Sequence, residues 1–133
     1  MQYMLLIYLD EKNAPSEAER QSCYVESAHY AQELSARGQY LAAAPLHPTS
    51  TATSVRVRDG KRLVTDGPFA ETREQLGGFY LVNAKNLDEA ISIAAGIPAG
   101  RWGTVEVRPV IEIPGLPEDS IIRRVDFAPS HST

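Results

Sequence analysis

Three histidines occur in the chain, His29, His47 and His131. An imidazole can take or give a proton near neutral pH once a carboxylate orients it. His29 is the candidate for that work. It lies in a stretch of helical spacing, beside Val25 and away from the stripe that starts at Tyr24. The same position suits an ordinary solvent-facing histidine, and residue type alone leaves both readings open. Asp66 precedes Gly67-Pro68, where it is either a carboxylate held at the mouth of a cleft or the forward-bonding residue of a turn. The segment 66–78 is a long polar loop, and a loop of that size in a compact domain is often a binding loop. It carries Phe69, Glu71, Arg73 and Glu74, and Arg73 could hold a carboxylate ligand; a solvated loop is the plainer account. Glu106 and Arg108 alternate with Val105 and Val107. If the valines face helices, the charged pair points to the opposite side, where it must be paired or line a polar cavity. Tyr8 and Tyr80 could share that cavity.

Other chemistries find no support. No His, Cys, Asp and Glu set has zinc spacing, so no metal is expected. Gly77-Gly78 is read as a loop-to-strand junction and not as a dinucleotide fingerprint, and no organic cofactor is expected. The formal net charge of −4 and pI near 5.3 disfavour nucleic acid. Arg56, Arg58, Lys61 and Arg62 fit a solvated or edge-protecting strand better than a phosphate backbone. Cys23 is the single cysteine, so no intrachain disulfide is possible, and no neighbour in sequence marks it as a nucleophile. Met1-Gln2-Tyr3-Met4 lacks a basic n-region, and the apolar run it opens ends at Asp10, too soon to cross a membrane. A cytoplasmic protein with no membrane partner is the expectation.

The elements that must position these groups are legible. The 133 residues suit one domain with its own core. Tyr3 to Leu9 reads as a strand apolar on both faces. Ser16 and Glu19 have capping-box spacing and open a helix that runs to about Arg37, with Gly38 after it; its buried stripe is expected at Tyr24, Ala28, Ala31 and Leu34 or Ser35, with alanines allowing close approach to a sheet. Tyr40 to Leu46 is extended. Ser54–Arg58 and Lys61–Thr65 flank Asp59-Gly60, the signature of a type I′ hairpin. Phe79 to Ala84 is another strand apolar on both faces. Asn86 caps a second helix with the stripe Leu87, Ala90, Ile91, Ala94 and Ala95, and Thr104 to Ile113 is the final strand. Residues 114–133 form a tail whose Ile121, Ile122, Val125 and Phe127 should pack on the body or on a partner subunit, with Pro129–Thr133 loosely held. Setting the hairpin aside leaves βαββαβ, the ferredoxin-like order. That predicts an α+β domain over residues 1–113, a four-stranded antiparallel sheet with two helices on one face. The bare face is too apolar to stay wet, so a homodimer is expected.

The segment Thr65-Asp66-Gly67-Pro68-Phe69-Ala70-Glu71-Thr72-Arg73-Glu74-Gln75-Leu76-Gly77-Gly78-Phe79-Tyr80 closely resembles the signature of the DGPF-type, YCII-related family. Met4-Leu5-Leu6-Ile7-Tyr8 and Gly103-Thr104-Val105-Glu106-Val107-Arg108-Pro109-Val110 are similar to the same family, and the resemblance spans Met1 to Ile113. It implies a dimeric α/β-barrel of ferredoxin-like protomers. It also implies a small, unidentified ligand, with some relatives acting on aromatic compounds through a His-Asp acid-base pair; by position that pair would be His29 and Asp66. Tyr8, Phe69, Glu71, Arg73, Tyr80, Glu106 and Arg108 are then the candidate ligand-binding set. Relatives found beside sigma factors imply the alternative, a non-catalytic sensory or interaction module of transcriptional control.

Overall fold

A computed structural model describes residues 1–121; Ile122, Val125, Phe127 and the end at Pro129–Thr133 lie outside the described residues. The elements run β1 (Gln2–Leu9), α1 (Glu17–Ala36), β2 (Tyr40–Pro45), β3 (Thr53–Arg58), β4 (Lys61–Asp66), β5 (Gln75–Asn83), α2 (Leu87–Ala95) and β6 (Gly103–Pro109), with short 3₁₀ turns at Glu11–Asn13, Thr49–Thr51 and Pro98–Trp102. The main sheet has the order β2-β5-β1-β6 and every neighbouring pair is antiparallel, whereas β3 and β4 form a sheet of their own. This is the expected ferredoxin-like fold with its inserted hairpin.

The local signals act as their chemistry requires. Ser16 accepts from the Glu19 amide while the Glu19 carboxylate accepts from the Ser16 amide, which closes the capping box of α1. At the other end Gly38 takes φ 73°, and the Gln39 amide returns to the Leu34 carbonyl at 2.8 Å. Asp59 and Gly60 have φ 52° and 73°, the left-handed pair a type I′ turn needs.

Two strand ends differ from the sequence reading. β5 begins at Gln75, not Phe79, because β1 continues to Leu9 and supplies partners for Leu76 and Gln75. The register slips between Ile7 and Tyr8, leaving Gly77 as the bulged residue. So Gly77-Gly78 is inside a strand, and the polar loop shortens to residues 67–74, with Asp66 closing β4. β6 stops at Pro109, not Ile113, because its partner β1 runs out one residue beyond, at Gln2.

One face of the sheet makes the core. Tyr3, Leu5, Ile7, Tyr80, Val82 and Ala84 are buried there against Leu34 of α1 and Ala90, Ile93, Ala94 and Ile97 of the α2 region. Within α2 the inward face is Ala90, Ile93 and Ala94, so the stripe expected through Leu87 and Ile91 is turned aside and both are about half exposed, at 51% and 50%. The opposite face carries Met4, Leu6, Tyr8, Phe79, Glu106 and Arg108 by alternation along the paired strands.

Candidate functional site

α1 has 20 residues but buries only Cys23 and Leu34 fully. Ser27, Tyr30 and Ala31 are half-buried beside them, whereas Tyr24 and Ala28 are exposed. The inward line is therefore Cys23, Ser27, Tyr30, Ala31 and Leu34; the expected Ala31 and Leu34 are on it, whereas Tyr24 and Ala28 stand to one side. The alanines do not draw the helix onto the sheet. Two aromatic props fix its place: the Tyr80 hydroxyl of β5 donates to the Ser27 carbonyl at 3.2 Å, and the Tyr30 hydroxyl donates to the Ile93 carbonyl of α2 at 2.6 Å. Between the props the lining is small, with Ala28, Ala31, Ala43, Ala44, Gly77, Gly78 and Ala99, and a cavity of about 940 Å³ remains beneath α1.

Ile7, Leu9, Tyr40, Tyr80 and Trp102 give that cavity an apolar and aromatic floor. Its mouth is polar and ordered. The Glu11 carboxylate accepts from the Thr49 amide at 3.0 Å and the Thr49 hydroxyl at 2.6 Å, and the Glu11 amide donates to Gln75 Oε1 at 3.0 Å. Arg20 is paired with Glu17, which also accepts from Gln21 at 3.1 Å. Asp10 accepts from the Lys12 amide and Asn13 Nδ2, contacts that hold its carboxyl below the usual range. His47, Tyr24, Cys23 and Ser27 complete the ionisable and hydroxyl-bearing lining. Burial pushes the Cys23 thiol up, against a hydrogen bond to Ser27 that acts the other way. Burial likewise raises the Tyr80 phenol.

A second, more open hollow of about 640 Å³ lies between α1 and the α2 region. It is spanned by the ion pair Arg101–Glu26 at 2.5 Å, and Arg101 also stacks over Trp102 at 4.8 Å. Its ionic groups already satisfy each other, and it lacks an aromatic floor. The cavity beneath α1 is the better candidate site.

The sequence-predicted residues distribute over four places. Tyr80 is on the cavity floor. Tyr8 is on the opposite face of the sheet, where its hydroxyl donates to Glu106 at 3.1 Å, and Glu106 lies 3.9 Å from Arg108. Burial and this bond to Glu106 raise the Tyr8 phenol. The outward direction expected for Glu106 and Arg108 is therefore observed, and they pair with each other and with Tyr8. Tyr8 and Tyr80 do not share a cavity, because they fall on opposite sides of the sheet. His29 is exposed on α1 and Asp66 is exposed at the end of β4, opposite Thr53. Among the described residues no hydrogen bond or ion pair joins them, and neither lines the cavity. Phe69 is 74% exposed and stacks under the Arg56 guanidinium at 5.0 Å, and Glu71 and Arg73 are exposed in the loop. Glu74 does reach the sheet, accepting from the Thr104 hydroxyl at 2.9 Å.

The cavity residues that the sequence reading did not propose for a site include Glu11, Arg20, Tyr24, Tyr40, His47 and Trp102. A signal for them existed in the small residues Ala42-Ala43-Ala44 and Gly77-Gly78, which cannot fill the space under a long helix.

Compared with known proteins, residues 1–114 match the model of the YCII-related domain. The chain belongs to the YCII-related family. An uncharacterised relative from Rhizobium meliloti (strain 1021) is 37% identical over 114 residues, 83% of this chain and 92% of the relative. Among solved structures, this YCII-related chain is similar to a 5-chloro-2-hydroxyhydroquinone dehydrochlorinase from Burkholderia phenoliruptrix AC1100, in complex with 2,5-dihydroxybenzoquinone. The TM-score is 0.50 at 16% identity, over 84% of this chain and 95% of that one; the likeness is one of fold.

Proposed function

We propose that this chain is a small-molecule-binding homodimer that takes a small planar aromatic compound into the cavity beneath α1 and handles a proton at its mouth. The observation that carries the reading is the cavity itself, about 940 Å³ with an aromatic floor and an ordered polar rim. That volume and that division into apolar floor and a few polar groups are typical of small-molecule sites. The solved neighbour, which holds a dihydroxybenzoquinone, supports the aromatic class. Among the described residues His47 is the histidine that lines the cavity, and in this reading it is the acid-base group in place of the His29–Asp66 pair. The dimer covers the face bearing Met4, Leu6 and Phe79.

The test is a thermal-shift screen of hydroxylated benzenes, quinones and aromatic acids, since a ligand at about 100 times its dissociation constant adds roughly 2.7 kcal/mol of stability. Ala28→Phe, at an exposed lining position, should abolish the shift without unfolding the protein. His47→Ala should lower any turnover about 10²-fold or more, while His29→Ala should leave it near wild type. A reversed result would return the chemistry to His29. No shift with any compound would favour the interaction-module alternative. Leu6→Arg should yield monomers in light scattering, and a wild-type protein already monomeric at micromolar concentration would remove the dimer.

A further inference from the structure

The hairpin β3–β4 is the least explained part of the molecule. Its two strands pair only with each other, and every residue in them except Ser54 is exposed. A two-stranded hairpin is marginal in water on its own, yet this one keeps six paired positions from Thr53–Asp66 to Arg58–Lys61. Its base is tied down by the Gly67 amide bonding the Ala52 carbonyl at 2.7 Å and the Ser54 hydroxyl bonding the Gly67 carbonyl at 2.8 Å.

The cross-strand pairs divide the hairpin into two unlike faces. Val55 sits opposite Val64 and Val57 opposite Arg62, so one face reads Thr53, Val55, Val57, Arg62, Val64 and Asp66. The other face carries Arg56, Arg58, Lys61 and Leu63, and Phe69 lies against Arg56 there. The three valines of the first face are 59%, 62% and 59% exposed. Nothing in the chain's own described structure uses them.

We propose that the hairpin is an intersubunit arm whose Val55–Val57–Val64 face lies on the body of a second copy of this chain. The proposal rests on the homodimer reading and names a part of its interface. Charge selects the occupant. The segment 53–66 holds four of the thirteen basic residues and two of the seventeen acidic ones, a formal +2. The remainder of the chain is therefore −6, and a basic arm meets an acidic surface on its own kind. The docked surface offers apolar contact near the base of the arm and a carboxylate near its tip, where Arg62 stands. In a two-fold dimer the contact is made twice, once by each arm. Asp66, on this same face, then meets the partner subunit and not its own His29.

The experiment compares the full-length protein with Val55→Asp/Val64→Asp by sedimentation across micromolar concentrations, with circular dichroism as the folding check. The paired aspartates should weaken the dimer at least tenfold and leave the spectrum unchanged, because those side chains are exposed within the protomer. Leu63→Asp, on the other face, should keep the wild-type dissociation constant. Arg62→Glu should also weaken association, most strongly at low salt. The proposal is overturned if the double variant associates as tightly as wild type; when Leu6→Arg still separates the subunits in that case, the dimer stands without its arms. Loss of association in Leu63→Asp equal to that in the double variant would overturn the face assignment. A monomeric wild type would overturn both readings together.

Discussion

Leu34→Ala probes how lightly the roof of the cavity is held. Leu34 is 0% exposed and, with Cys23, is one of two fully buried side chains on a helix of 20 residues. It belongs to the core cluster with Leu5, Tyr80 and Val82, and Ala31 and Ala43 pack against that cluster. Alanines cannot swing into the vacated space, so little relaxation is available. The cost should fall in the upper half of the roughly 2–5 kcal/mol range for such truncations, about 3–4 kcal/mol. With an unfolding entropy near 2.1 cal/mol/K per residue, the 133 residues give about 0.28 kcal/mol/K, and the melting temperature should drop by about 11–14 °C. Thermal and urea unfolding measure this directly. Amide exchange adds a second reading: α1 should exchange ahead of the central strands β1 and β5, because it opens as a weakly attached unit. A drop under about 4 °C, or α1 amides as slow as those of β5 in the variant, would refute the view that Leu34 anchors the roof.

Three further outcomes are expected. Ser16→Ala removes one half of the capping box and should cost about 1 kcal/mol, read as a lower urea midpoint with an unchanged slope. Gly103→Ala places a methyl group against the Tyr8 carbonyl oxygen, a backbone atom that cannot step aside; it should cost about 2 kcal/mol or more and speed amide exchange along β6 first. Tyr30 and Tyr80 are both raised above the ordinary value of 10.0, chiefly by burial. The native state therefore holds these protons more tightly than the unfolded chain, so their contribution is complete below pH 10.0 and is lost as pH rises through the higher folded values. Urea titrations at successive alkaline pH values should show stability falling in that window, and Tyr30→Phe should flatten the fall; stability that stays level would contradict the assignment.

The fold was legible because its signals are local. The capping box of Ser16 and Glu19, the Asp59-Gly60 turn and the doubly apolar strands β1 and β5 each depend on a few adjacent residues. Face alternation also carried through, since Glu106 and Arg108 do leave the helix side. The site was harder to read. Spacing along α1 put Tyr24 and Ala28 inward, but both stand to one side because Tyr80 and Tyr30 fix the place of the helix from other elements. Those are contacts across 53 and 63 residues of sequence, and no window of α1 contains them. Tail residues 122–133 lie outside the described residues.

Cys23 has a practical consequence. It is the chain's single thiol, 4% exposed, and it lines the cavity beneath α1. The thiol borders the space a ligand would fill, so the rate of its alkylation is a gauge of occupancy that requires no knowledge of the reaction. The raised thiol value makes that gauge slow at neutral pH and faster toward alkaline pH, where more thiolate forms. Compounds that shield Cys23 in competition can thus be ranked before any turnover is found, and the mass of the labelled protein reports each result.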